Sequence, residues 1–98
     1  MSIDNATTIP DIAAPPDATE LLDWSQHGPG LARRPFTGSV REAAGFVVRI
    51  QGLQRENRTC LRRVTVEAAS LSTRLDPEAV RQLAAALTAA VDEIEARR

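Results

Sequence analysis

His27 is the only histidine of the chain and Cys60 its only cysteine. Ser25 stands two residues before His27, so a nucleophile–base pair is the first chemistry to weigh. Such a pair needs a rigid scaffold and a third group to orient the imidazole. Here it precedes Gly28-Pro29-Gly30, a turn-rich stretch in which a solvated loop is expected. Cys60 stands near Arg58, Arg62 and Arg63, cations that favour a reactive thiolate; a small strand residue is the commoner role. One His and one Cys cannot supply the four ligands of a structural zinc site. Gly28-Pro29-Gly30 has neither the Lys nor the helix start of a phosphate loop, and Gly52 lies in a strand pattern. The expectation is therefore no catalytic residue, no metal, no cofactor and no small-molecule ligand, which leaves surfaces to carry function.

Charge is unevenly distributed along those surfaces. Residues 1–31 hold five acids and no base, residues 32–65 hold eight Arg against two Glu, and residues 66–98 hold four Arg against six acids. The net is only −1, but fields act locally. Arg55, Arg58, Arg62 and Arg63 gather around one turn, with Arg33, Arg34 and Arg41 upstream. They are candidate phosphate contacts for a nucleic acid. Two other readings compete: a solvated hairpin whose charges keep a sheet edge from aggregating, or a basic surface screened by the acidic arm folding back on it. Aromatics are limited to Trp24, Phe36 and Phe46, too few to interleave as a stacking platform.

The elements that must position these groups follow from pattern. Residues 1–16 are acidic, contain Pro10, Pro15 and Pro16, and read as a disordered arm. Residues 17–45 read as loop-rich. Asp17 and Glu20 approach a capping box, predicting a helical turn over residues 18–24. Its Leu21, Leu22 and Trp24 form a candidate docking anchor, or a cover for the protein's own sheet. Glycines and prolines predict a loop over 28–38. Ser39 and Glu42 repeat the capping-box spacing, with a strand from near Val40 as the alternative. From Phe46 the period becomes two: Phe46, Val48 and Ile50 alternate with Val47, Arg49 and Gln51. A polar turn follows, with Asn57 its expected left-handed residue. A second strand runs from about Thr59 to Ala68, with Val64, Val66 and Ala68 on one face and Arg63, Thr65 and Glu67 on the other.

Asp76-Pro77-Glu78 marks a helix start, since Asp accepts from free N–H groups and Pro at the first position loses no hydrogen bond. Val80, Leu83, Leu87, Val91 and Ile94 recur at spacings of three and four. Ordering such a helix costs more than this stripe returns, so it must pack on the hairpin. The fold class is thus α+β: an antiparallel hairpin or small sheet packed by one long C-terminal amphipathic helix, forming a ββα domain over 46–98. A hairpin plus one helix is marginal alone, which favours a homodimer through the helix stripe, a strand edge or both. The N-terminus lacks a signal-peptide pattern, no apolar run suits a bilayer, and one thiol makes no internal disulfide, so a cytoplasmic protein is expected.

The Val-Arg-Ile-Gln-Gly-Leu-Gln strand ending at Gln54, Arg62-Arg63-Val64-Thr65-Val66, and Asp76-Pro77-Glu78 with the Val80–Leu87 run resemble a group of small uncharacterised proteins of actinobacteria and their phages. The resemblance covers about Phe46 to Glu95 and is carried by order and spacing. It implies a ββα arrangement and an origin, without a mechanism. The functional expectation is a non-enzymatic protein–protein interaction or regulatory module, homodimeric, with an unidentified protein partner. The alternative is a nucleic-acid-associated protein.

Overall fold

A computed structural model describes residues 11–68 and 73–97. Four strands, β1 (Glu20–Leu21), β2 (Arg33–Ala43), β3 (Phe46–Arg55) and β4 (Cys60–Ala68), precede one helix, α1 (Pro77–Glu95). The strands form an antiparallel meander in the order β1-β2-β3-β4. The expected α+β class holds, the expected hairpin or small sheet being a four-stranded sheet.

The centre of the sheet is β3, whose alternation is the clearest strand signal in the sequence. Val48 and Ile50 are fully buried, and with Ala90 they form the core against which Val64, Leu83, Ala86, Leu87 and Ile94 pack. α1 starts as its sequence predicts: the Asp76 carboxylate accepts from the Ala79 N–H at 2.8 Å, and Pro77 opens the first turn.

The chain between residues 17 and 45 differs from its sequence reading. No helix forms over 18–24; Glu20 and Leu21 pair with Thr37 and Phe36. Residues 33–38 are strand, not loop. Pro35 is tolerated because its carbonyl accepts from Leu22, so its nitrogen also faces β1 and the ladder to β3 loses no donor. Gly38 sits at a bulge, where the register shifts between Thr37 and Val40, and a Cβ there would crowd Ile50 at 3.3 Å. Ser39 and Glu42 lie in β2, as the alternative strand reading had it. Gly52 is required by its neighbour. The Phe36 ring covers the place where any Cβ would stand, so the aromatic supplies the packing that glycine lacks.

Both hairpins turn through left-handed residues. Ala44 (φ 53°) and Gly45 (φ 82°) join β2 to β3 as a two-residue loop with the positive φ values of a type I′ turn. Between β3 and β4 the left-handed residue is Arg58 (φ 73°), not Asn57. Asn57 acts through its side chain, whose Oδ1 accepts from the Thr59 N–H and hydroxyl.

Residues 1–10 of the expected arm lie outside the described residues. Residues 11–16 are seated on the sheet. Pro15 is buried, the Ala13 carbonyl accepts from Gln54 Nε2 at 2.8 Å, and the Ile12 carbonyl accepts from Arg34 at 3.1 Å. The reading of 11–16 as disordered is corrected by these bonds. Composition missed them because the strap contributes carbonyls and one proline, not a hydrophobic stripe.

Ala44 carries a Cβ in a conformation that costs an L-residue about 1–2 kcal/mol. Asn tolerates it better, so Ala44→Asn should stabilise the fold by roughly 0.5–1 kcal/mol, a rise of a few degrees in Tm. A thermal melt followed by circular dichroism checks the sign.

Candidate functional site

Strand alternation divides the sheet into a covered face and an open one. Val48, Ile50, Gly52 and Gln54 on β3 share the covered face with Cys60, Arg62, Val64 and Val66 opposite them on β4. α1 lies over one part of it. The strap of residues 11–17 lies over the part near the β3–β4 turn. There Arg62 and Asp17 form a two-pronged pair, Nε to Oδ2 at 3.0 Å and Nη2 to Oδ1 at 2.8 Å. Their side chains are 12% and 5% exposed, and the guanidinium also stands 5.4 Å from the centre of the Phe36 ring. The Arg62 guanidinium holds the Asp17 carboxyl below its ordinary value, against burial, which pushes it up. The same hydrogen bond raises Arg62. Gln54, 3% exposed, is bridged on both ends, by Arg34 at its carbonyl and by Ala13 at its amide.

These contacts break up the predicted arginine cluster. Arg62 is bound under the strap and is no surface cation. Arg63 points to the opposite, open face, as its neighbour in an extended strand must. Arg55 is half-buried and reaches the Thr59 hydroxyl, while Arg58 is exposed at the turn. Arg33 replaces Arg62 in the set: it pairs directly across from Arg55 on the open face. Two like charges so placed repel. Neither makes an ion pair with an acid within 4 Å among the described residues.

The predicted anchor is also rearranged. Leu21, the last residue of β1, and Leu22 just after it are exposed, whereas the Trp24 ring lies 4.6 Å under the Arg34 guanidinium and is half-buried. Trp24 thus packs on its own sheet, and no helical anchor forms. Ser25 Oγ and His27 Nε2 are 3.0 Å apart, but both residues are exposed in a loop, and no carboxylate orients the ring among the described residues. Cys60 is half-buried, in a groove of about 820 Å³ between the strap and the β3–β4 turn that Arg58 and Arg97 also line. No group of three potential metal ligands occurs among the described residues. None of the described helices is long and apolar enough to cross a membrane.

The helix stripe divides as well. Leu83, Leu87 and Ile94 pack on the sheet, as expected. Val80 and Val91 stand at the margin of that contact, 49% and 45% exposed. The docked face is rotated toward Ala86 and Ala90, whose small side chains allow the helix to approach Val48 and Ile50 closely. Glu93 fixes this rotation. It accepts from the Ser39 hydroxyl at 2.7 Å and from Arg41 at 3.1 Å, both on β2. The flank bearing Glu93 therefore faces β2, and at 3.6 residues per turn Val80 and Val91 fall on the other flank, toward β4.

β4 is the outer strand on that side, and among the described residues β3 is its only neighbour in the sheet. Val66, on the covered face of β4, is 44% exposed. A nine-residue strand edge thus runs beside an apolar margin of Val66, Val80 and Val91. The other edge is blunter, since β1 spans only two residues and pairs part of β2. Long, flat, partly apolar edges invite another strand. Val66 was legible as a face residue of β4, but its exposure depends on where the helix docks. Comparison with protein-family models, curated proteins and solved structures found no match.

Asp17→Ala would leave Arg62 buried without its counter-charge and should cost on the order of 3 kcal/mol in chemical denaturation. Because folding lowers the Asp17 pKa, the pair's contribution is complete above the unfolded value of about 4 and is lost as pH falls through the folded value. Asp17→Asn should therefore flatten the acid limb of the stability–pH curve; an unchanged limb would show that the pair contributes nothing to acid sensitivity.

Proposed function

We propose that this chain is a non-enzymatic protein–protein interaction module that works as a homodimer, joined along β4 and the adjoining flank of α1. The observation that carries the reading is the edge of β4, which no other described strand pairs, lying beside Val66, Val80 and Val91. A strand edge offers a row of hydrogen-bond donors and acceptors, and the valines add apolar area that self-association would remove from water. The small core supports the same reading: among the described residues, Val48, Ile50 and Ala90 make up the fully buried centre under the helix.

A second reading, a nucleic-acid-associated protein, is favoured by one observation. Arg33 and Arg55 stand side by side on the open face, and Arg63 lies on the same face of β4. A phosphate backbone laid across that face would offset their repulsion.

Light scattering at micromolar concentration should report a dimer for the wild type. It should report a monomer for Val80→Glu/Val91→Glu, with the helical circular dichroism retained. A wild-type monomer would remove the homodimer reading. For the second reading, fluorescence anisotropy at low salt should show oligonucleotide binding that weakens steeply with salt and is lost in R33A/R55A/R63A; no binding by the wild type would end it.

A further inference from the structure

We propose that the partner on β4 is a second copy of this chain, set antiparallel so that Thr65 faces its own counterpart across a two-fold axis. This rests on the homodimer reading and adds to it a register.

The backbone determines which groups are offered. The Arg55 N–H donates to the Thr59 carbonyl at 2.9 Å, and these residues stand opposite each other as the pair just beyond Gln54 and Cys60. Hydrogen-bonded pairs alternate along an antiparallel ladder. Leu61, Arg63, Thr65 and Glu67 therefore turn their backbone groups toward β3. Arg62, Val64, Val66 and Ala68 turn theirs outward, to the free edge. With Thr65 on the axis, Val64 meets the partner's Val66 as a hydrogen-bonded pair, and Arg62 meets the partner's Ala68 in the same way. Thr65 meets its counterpart as a non-bonded pair, the type in which Cα atoms approach to about 4.5 Å.

The side chains select this register from the others. Arg63-Val64-Thr65-Val66-Glu67 is self-complementary when reversed on itself. On the open face Arg63 stands opposite the partner's Glu67, twice by symmetry, with the threonine pair between them. On the covered face Val64 stands opposite the partner's Val66, also twice. Opposite charges, paired threonines and paired β-branched residues are all favourable across strands. The Glu67 carboxylate is open to such a contact: it takes Arg49 through Oε1 and is 55% exposed. Moving the axis to Arg63 sets arginine against arginine. Moving it to Val64 sets Leu61 against the partner's Glu67, and moving it to Val66 sets Thr65 there. None of these keeps both charge and apolar pairs. The Thr65 register also joins the two four-stranded sheets into one continuous sheet. Both helices then lie on the same face, with their Val80–Val91 flanks turned toward each other across the axis.

Two experiments test the register. Arg63→Glu and Glu67→Arg each place like charges opposite across the axis, so each variant alone should dimerise about tenfold more weakly or worse. Mixed, they should restore a heterodimer of wild-type affinity. The introduced glutamate of one chain then faces the introduced arginine of the other, and the native Arg63 and Glu67 that remain still face each other. Circular dichroism confirms that each variant is folded. In a Cys60→Ser background, Thr65→Cys should form an intersubunit disulfide under mild oxidation, since facing Cα atoms fall within disulfide range. Leu61→Cys, far from the axis, should not. A wild-type dimer whose Thr65→Cys form stays uncrosslinked, or whose Arg63→Glu form binds as tightly as wild type, overturns the register and leaves the dimer standing. A wild-type monomer removes the dimer itself.

Discussion

A helix is about 10 Å across, and a four-stranded sheet with its strands about 4.8 Å apart is wider than that. One helix therefore cannot cover one face of this sheet, and the rest of the structure follows from how the remainder is handled. Near the β3–β4 turn the strap of residues 11–17 completes the cover, held by Asp17–Arg62 and by Gln54 bridging Arg34 to Ala13. Along β4 the cover stops short, and Val66 is left half in water beside Val80 and Val91. The end near the β3–β4 turn is closed by polar contacts, and the apolar margin along β4 stays half in water. Glu93 decides where that margin falls, because its bonds to Ser39 and Arg41 draw the helix toward β2.

What the sequence made legible was local and periodic. The Asp76-Pro77 start, the α1 stripe and the alternation of β3 each depend on neighbours within one element, and each is where it was expected. β2 was not legible because Pro35 and Gly38 punctuate it like a loop. Only the sheet shows that Pro35 faces the side where no donor is needed and that Gly38 makes room beside Ile50. Asp17 read as a helix cap because Glu20 follows at the right spacing, yet its partner is Arg62, 45 residues on. A pattern within four residues cannot report such a contact. The arginine cluster was legible in number but not in direction, although strand parity alone already sends Arg62 and Arg63 to opposite faces.

The separation of charge along the sequence becomes a separation of roles in space. The acidic N-terminal third supplies Asp17, which neutralises a basic residue that would otherwise be buried unpaired. The acidic C-terminal third supplies Glu93 for Arg41. Of the basic middle, Arg33, Arg55 and Arg63 are left on the open face, away from both the helix and the strap. A nearly neutral protein thus gathers Arg33, Arg55 and Arg63 at one end of a face that also carries Glu20, Glu42 and Glu67, and on that cluster the nucleic-acid reading depends. It keeps an apolar margin on the other side of the same sheet, the feature on which the dimer reading depends.

The strap has a further consequence for the order in which the molecule assembles. The meander closes by two tight turns, so the β2–β3 and β3–β4 pairings join residues already near in the chain. The strap joins residues 13 and 54, and 17 and 62, separations of 41 and 45. Loop-closure entropy opposes such long-range contacts, which form most readily once the surface they seal already exists. By this ordering the strap is the last part to close and the first to open, and its opening frees Arg62, Gln54 and Arg34 and widens the groove at the Cys60 thiol. The single cysteine of this chain would then report, by its rate of chemical labelling, how often the molecule visits that state.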